Sequence, residues 1–451
     1  MNIPLHKTAA EMAYIKAGAR SKPALAKAGW IEAGREAALR SFSAHGLPNR
    51  RVEEWKWTDL RRFLSEAYPP GLAPAMDRRV VEAALAPLPF ATVECRRLIF
   101  IDGHFAPQCS DALTLDGVEF HALRDVRADP PSWAREVLDH GFAPYDRDVI
   151  DELNTLFVGD GALIRIARET EIAPPIHLAF VNSGVSARSV AVRNVVALGE
   201  GARAAIIETH SGREATDCRP YLASCVTETV LGRRARLDHV KLQADNHDAI
   251  HLSNRHFALQ AESVLRDVTL GMGAKLARNQ VFLKYCGEEA GADIAGACLL
   301  NGKQHCDTTI VVNHDAAECR TREVFKYVME DAARGVFQGR IMVAPHAQGT
   351  DAKQQSHGLL LSGRAEFDAK PELEIFADNV ACGHGATAGA LDEEQLFYLH
   401  ARGIPQTQAK SLLIAAFVND VFATLGDETM RQALAARVQG WLTGSGDGGD
   451  G

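Results

Sequence analysis

From Gly335 to Gly389 the chain reads GVFQGRIMVAPHAQGTDAKQQSHGLLLSGRAEFDAKPELEIFADNVACGHGATAG. Short apolar pieces at Arg340–Val343, Gly358–Leu361 and Leu373–Phe376 alternate with turn-forming Gly, Pro, Asp and Asn, the texture of successive short strands. At Cys382-Gly383-His384-Gly385 the texture changes to a Gly-rich loop, with a helical pattern soon after. A Cys and a His at i and i+2 are two soft-metal ligands on one backbone segment, and the glycines let the chain fold closely around whatever they approach. They make half a site, because a tetrahedral iron or zinc centre takes about four ligands. The remainder must come from elsewhere in the chain or from a partner. On spacing alone, a buried Cys and a hydrogen-bonded His at a strand-to-helix turn is the stronger reading, since a lone Cys-x-His is a weak signal.

Working outward, the region from Ala162 to Phe376 is a long series of β-like pieces, among them Leu163–Ala167, Ile176–Val181, Ser189–Leu198, Cys225–Leu231, Leu237–Leu242, Ser263–Leu270 and Thr308–Val312. β-Branched residues fill them and Gly, Asn or Asp separates most of them. No long helical pattern intervenes, apart from an expected turn or two near Arg320–Glu330, so a parallel sheet with helical crossovers is excluded. A sandwich or barrel competes with a β-solenoid. Sandwich hairpins favour Asn-Gly or Asp-Gly turns, and only Asn301-Gly302 occurs in this region. A solenoid predicts small residues at recurring corners, which fits Gly199–Ala202, Gly271–Ala274 and Gly287–Ala292. The repeat is irregular, but the solenoid is the better match.

Helical patterns flank this β region. On the N-terminal side, Met12, Ile15, Trp30, Ile31, Ala38, Leu39 and Phe42 recur near helical spacing between Thr8 and Leu64. Glu53-Glu54-Trp55-Lys56-Trp57-Thr58 then sets two indoles at i and i+2, read as a packing anchor against the next domain. A Pro-punctuated stretch with one strand (Arg97–Asp102) and a helical stretch (Pro131–Phe157) lead into the β region. Beyond Gly389, Asp392 with Gln395 resembles a capping box, and Gly403 and Pro405 end that helix. A second helix carries Leu412, Leu413, Ala416, Phe417 and Val421 on its apolar side, and a third carries Met430, Leu434 and Val438 with Trp441 or Leu442. The Gly, Ser and Asp tail from Gly444 is expected to be disordered.

Composition excludes several classes. The chain has 451 residues, 46% of them hydrophobic, enough for a large core. Its net charge of −9, without a basic run, argues against nucleic acid as a partner. Nine scattered cysteines without a Cys-x-x-Cys suit a reducing cytosol. No signal peptide or bilayer-spanning run is visible, so a soluble cytoplasmic protein with no membrane contact is expected. P-loop, dinucleotide and nucleophile-elbow motifs are missing. A second ligand-like group at His305, Cys306, Asp307, His314 and Cys319, and the histidines at His239, His247, His251 and His256, read as rung-filling or hydrogen-bonded core residues. A β-helix carbohydrate-active enzyme is the alternative: Glu372, Glu374 and Asp378 could supply paired carboxylates, though a solvated strand edge explains them better.

Six pieces of the opening stretch and its continuation, taken in order, resemble the signature of the SufB/SufD family, the scaffold proteins of the SUF iron–sulfur cluster assembly system. They are Gly335-Val336-Phe337-Gln338-Gly339, Thr350-Asp351-Ala352-Lys353-Gln354, Leu359-Leu360-Leu361-Ser362, Pro371-Glu372-Leu373-Glu374-Ile375, Cys382 to Gly389, and Leu396-Phe397-Tyr398-Leu399 with Arg402-Gly403-Ile404. The Cys-x-His-Gly-Ala-Thr form is similar to the SufD branch, with Gly383 where Ser is common. Glu54 to Thr58 resembles a Glu-Trp-Lys-Tyr-Thr element of the family, with Trp57 in place of Tyr.

The resemblance implies a mainly β protein, a right-handed parallel β-helix core flanked by N-terminal and C-terminal α-helical regions. The expected division is 1–95 for the N-terminal helical region and linker, 96–385 for the β-helix with its lead-in segment, 386–443 for a helical partner-binding region, and 444–451 for the tail. It implies a non-catalytic scaffold that pairs with a SufB-like chain, binds a SufC-like ATPase and itself binds no nucleotide. A transient Fe–S cluster shared with the partner subunit would be its cargo, with His384 and Cys382 as metal ligands. Phe397, Tyr398, Arg402 and Phe417 would bind the partner, and the chain alone would pair with itself as a homodimer.

Overall fold

The computed structural model describes residues 6–20, 29–71, 78–86, 88–139, 147–213 and 218–444. Its centre is a two-sheet parallel β-solenoid in which the chain alternates between a ten-stranded and a nine-stranded sheet. From Ser189–Leu198 to Glu366–Ile375 every strand is ten residues long, longer than the apolar pieces alone indicate. Strands of the ten-stranded sheet begin at Arg236, Val264, Gly291, Arg320, Asp351 and Ala381, so one turn takes 27 to 31 residues. Rungs align without slippage: Ile250, Leu276, His305, Arg334 and Glu366 lie in one column. Such stacking fixes the inward set, because side chains alternate with a period of two.

Inward positions of the two sheets meet in one core, including Val281, Ile310, Phe325, Tyr327, Phe337 and Ile341. Aromatic rings stack between rungs, Phe325 on Phe337 at 5.5 Å and Tyr327 on Phe367 at 5.1 Å. One corner of the turn carries a left-handed residue again and again: Gly201, Arg234, Glu262, Glu289, Glu318 and Gly349 all have φ between 57° and 75°. That conformation lets each corner N–H reach a carbonyl of the following turn, as in Glu262 N to Glu288 O (2.9 Å) and Glu318 N to Gln348 O (2.8 Å). The inter-turn ladder therefore continues round the bend. Four of the six corners use Glu or Arg where glycine is the easy choice, which is why the repeat looks irregular in the sequence.

Two local expectations are corrected. Arg320–Met329 is a full strand, not a helical turn, because its alternating Thr321, Glu323, Phe325, Tyr327 and Met329 all face inward. Cys382 to Gly385 lies within the strand Ala381–Gly389, not in a loop, because its backbone pairs in register with Asp351–Leu359. Asn301-Gly302 is a solenoid corner rather than a hairpin turn. Of the predicted small corners, Gly199–Ala202 and most of Gly287–Ala292 are corners, whereas Gly271 to Gly273 lie in a strand that ends at the Ala274 bend.

The helices cover the outer faces. The N-terminal helices Ala9–Arg20 and Gly29–His45, with Val149–Phe157, pack through Tyr14, Phe42, Leu153 and Leu156 on Leu222, Ile250 and Leu276 of the nine-stranded sheet. Trp55 is buried there with the Arg278 guanidinium 4.6 Å over its ring, and Arg278 also donates to the Glu54 carbonyl, so the expected anchor is in place. The side chains of Trp30 and Ile31 and the tail from residue 445 lie outside the described residues. At the C-terminus, Gln406–Asn419 and Glu428–Leu442 pack Ile414, Val418, Met430, Leu434 and Val438 on Val240, Val268, Ala297 and Val328 of the ten-stranded sheet. The middle helix is rotated from expectation: Leu412 is 47% exposed, and Ala409, Ile414 and Val418 make the contact.

The two ends of the solenoid differ. The first end is closed by antiparallel pairs, Phe100 with Phe105 and Phe120 with Ile164, and the Phe105 ring packs on those of Phe100 and Phe120. At the other end Glu366–Ile375 and Ala381–Gly389 each have a strand neighbour on one side only among the described residues.

Candidate metal-binding rim

The rim is the last turn. In Ala381–Gly389 the positions Cys382, His384, Ala386 and Ala388 face inward, because their register partners Ala352, Gln354 and Ser356 are buried in the interior. Sequence spacing sets Cys382 and His384 on one backbone segment, and the strand puts both on one face. With no further turn above them among the described residues, Cys382 is half-buried and His384 is exposed. Burial pushes the Cys382 thiol above its usual range, while a backbone hydrogen bond from Ala352 and the Lys353 ammonium pull the other way.

The column beneath His384 is polar. Gln354 lies one rung below it and Glu323 one rung further, and the Gln354 amide donates to Glu323 at 2.8 Å. Burial raises the Glu323 carboxyl to about 8, so it is mostly protonated at neutral pH. The Gln354 Oε1 acceptor is buried without a protein partner. Across the interior the Gln354 amide packs directly over Gly339, and a Cβ there would force that side chain to move. Gly385 and Gly389 on the outer face of the rim strand are different: a Cβ at either would meet nothing. Intramolecular packing does not call for these glycines. They leave a flat bare strip beside an unpaired edge, a surface another backbone can approach closely.

No third His, Cys, Asp or Glu converges on Cys382 and His384 among the described residues. The rim supplies part of a coordination shell. Nearby, Leu373 is half-buried, and Ile375 (39%) and Phe376 (63%) expose apolar surface at the same end.

Of the four residues expected to bind a partner, three lie on or just after the helix Glu393–Ala401, which buries none of its own residues. Asp392 caps it, accepting from the amides of Glu394 and Gln395 as the capping pattern predicts. Phe397 is 74% and Tyr398 57% exposed, and the Arg402 guanidinium lies 5.0 Å from the Tyr398 ring. Phe417 is separate from them. It is half-buried, with the Lys326 ammonium 4.9 Å from its ring, and it lines a cleft of about 290 Å³ with His357, Thr387 and Leu413 between the rim strand and the helices.

The other ligand-like groups resolve as structure. His305 bonds Thr58 at 2.9 Å on the outer face while Cys306 fills the core, the opposite orientations that alternation requires. Glu372 pairs with Lys370 at 3.2 Å and Glu374 with Arg340 at 3.8 Å, so two of the three carboxylates considered for glycoside chemistry are held in ion pairs along a strand. The described helices include none long and apolar enough to cross a membrane. One group escaped sequence reasoning: Glu208, His210 and Cys225 converge inside the solenoid. Glu208-Thr209-His210 carried the same i, i+2 signal as Cys382-Gly383-His384, but Cys225 joins it only through the fold.

Comparison with known proteins places the chain in a family. Residues 180–417 match the model described as "SUF system FeS cluster assembly, SufBD core domain", and residues 10–178 match that of the SufBD protein N-terminal region. The chain is 30% identical over 409 residues to the iron–sulfur cluster assembly protein SufD of Escherichia coli, covering 90% of this chain and 92% of that protein. It is 31% identical over 398 residues to an iron–sulfur cluster assembly SufBD family protein of Synechocystis, covering 86% of each. A chloroplastic protein of Arabidopsis thaliana is 28% identical over 417 residues, covering 90% of this chain and 85% of the other.

Proposed function

The chain belongs to the SufBD family of iron–sulfur cluster assembly proteins, and from that premise we propose that it is a non-catalytic scaffold subunit whose rim completes a cluster site with a SufB-like partner. The observation that carries this reading is the last strand: two inward-facing ligands, an unpaired edge and a bare glycine face meet at the open end. The nascent Fe–S cluster is cargo held between two chains. His384 offers an imidazole nitrogen to iron. Cys382 is a thiol until iron displaces its proton, which makes it the weaker candidate of the two.

The helix Glu393–Ala401 is the docking surface for a SufC-like ATPase, with Phe397 and Tyr398 as aromatic anchors and Arg402 beside them. Phe417, seated at the cleft, supports that helix pair from behind. ATP hydrolysis belongs to that partner, as this sequence has no P-loop. Without a SufB-like chain, the same open end is the surface by which two copies would pair.

The test is anaerobic co-expression with SufB-like and SufC-like partners, using wild-type, His384→Ala and Cys382→Ser forms. Complex formation, iron and acid-labile sulfide are measured together. All three should assemble, with iron and sulfide lost in His384→Ala. An unchanged cluster in that variant would sink the ligand role, and failure of the wild-type chain to assemble would sink the scaffold role.

A further inference from the structure

Most solenoid interiors are filled by apolar stacks, yet the middle turns of this one hold Glu208, His210, Cys225, His239, Lys241, Asp245, His251, Arg255 and Asp267, all buried. We propose that Glu208, His210 and Cys225 form an internal site for a borderline-soft divalent cation such as zinc or iron(II). Glu208 and His210 occupy successive inward positions of the strand Arg203–Gly212, and Cys225 faces them from Leu222–Leu231 in the opposite sheet. Their ligand atoms all lie within 4.8 Å of one another. Glu208 Oε1 is the hub, 2.7 Å from His210 Nε2 and 3.8 Å from Cys225 Sγ. Ligand atoms around a four-coordinate zinc are about 3.3–3.8 Å apart, given metal–ligand bonds of about 2.0–2.3 Å. Small rotamer changes would bring one carboxylate, one imidazole and one thiolate onto a single ion.

A second observation supplies the fourth position. A cavity of about 20 Å³, room for about one water, is lined by His210 and Cys225 together with Ser211, Tyr221 and Asp245, and extends towards Asp102, Gly103 and Val190. A metal-bound water would fit in that space.

The neighbouring charges permit the exchange. Without an ion, Lys241 Nζ stands 3.8 Å from Glu208 Oε1 and the carboxylate is held well below its usual range, chiefly by its histidine hydrogen bonds against the cost of burial. A cation bound here takes the place of the Cys225 thiol proton as the sulfur ligates. Lys241 keeps Ser253, Asn279 and His251 as partners, Arg255 and His239 stay on Asp267, and His251 stays beside Asp245. Binding thus exchanges the Glu208–His210 hydrogen bond for bonds to the ion while these outer contacts remain.

Cobalt(II) alone is the probe, titrated anaerobically into the chelator-stripped full chain. One equivalent should give four-coordinate visible bands and a thiolate-to-cobalt charge-transfer band. Cys225→Ser should lose that band, whereas Cys382→Ser and His384→Ala should keep it, which separates this site from the rim. A band that is absent from the wild type, or that disappears with Cys382→Ser and not with Cys225→Ser, overturns the proposal. Should Cys225→Ser fail to fold, X-ray absorption of zinc bound to the Cys382→Ser, His384→Ala double variant decides without touching the core. One sulfur at about 2.3 Å with nitrogen and oxygen at about 2.0–2.2 Å is expected; an all-nitrogen-and-oxygen shell refutes it.

Discussion

The middle turns and the last turn are built from the same ten-residue rung, and they differ in whether another rung follows. In the middle, inward side chains are covered above and below, so polar groups such as Lys241 and Glu208 must find partners inside the protein. At the last turn Cys382 and His384 occupy equivalent inward positions and face an opening. An identical local geometry therefore makes core in one place and a rim in the other. Solenoids gain this freedom because each turn contacts only its neighbours.

Stability experiments can break or sharpen that comparison. Phe257 is fully buried in a middle turn, so Phe257→Ala should cost about 3–5 kcal/mol, read from the denaturant midpoint. Leu373→Ala on the half-buried final strand should cost roughly 1 kcal/mol. Equal losses at the two positions would mean that the end is as closed as the middle.

Glu323 sharpens the contrast through pH. Its folded pKa of about 8 exceeds the usual carboxyl value of about 4.3, so its contribution is complete below that value and is lost as pH rises through about 8. Glu323→Gln should remove this loss, stabilising the protein by on the order of a few kcal/mol at pH 8 and little at pH 4. Three buried histidines act oppositely. Burial lowers His251, His305 and His314 to about 4, so their contribution is present above about 6.5 and is lost as pH falls towards about 4. Urea unfolding across pH 4.5–8.5 in wild type and Glu323→Gln separates the two slopes.

The smallest stability change is expected at the surface. Phe397→Ala and Tyr398→Ala should shift stability by no more than about 0.5 kcal/mol, because both rings are exposed, yet each should weaken pull-down of the SufC-like partner. A large drop in melting temperature would show that the rings hold the fold.

Residue chemistry along the chain was enough for the succession of strands, the absence of helical crossovers, the capping at Asp392 and the i, i+2 pairing of Cys382 with His384. These are local properties, set by side-chain alternation and backbone preference over a few residues. The signature from Gly335 to Ile404 was legible for the same reason: it is a contiguous pattern, and both family models and relatives agree with it. The turn length was obscured because Arg234, Glu262, Glu289 and Glu318 adopt the left-handed corner without glycine, held there by hydrogen bonds from the next turn. The alternation of the rim residues looked like a Gly-rich loop for a related reason. Glycine has no strand preference of its own, and the pairing with Asp351–Leu359 imposes one. Only the tertiary structure decided that the rim is open, that the helix Glu393–Ala401 buries none of its residues, and that Cys225 meets Glu208 and His210. Each of these depends on contacts between segments well separated along the chain, Cys225 being 17 residues from Glu208 and one turn about thirty residues long, separations at which periodicity carries no information about contact.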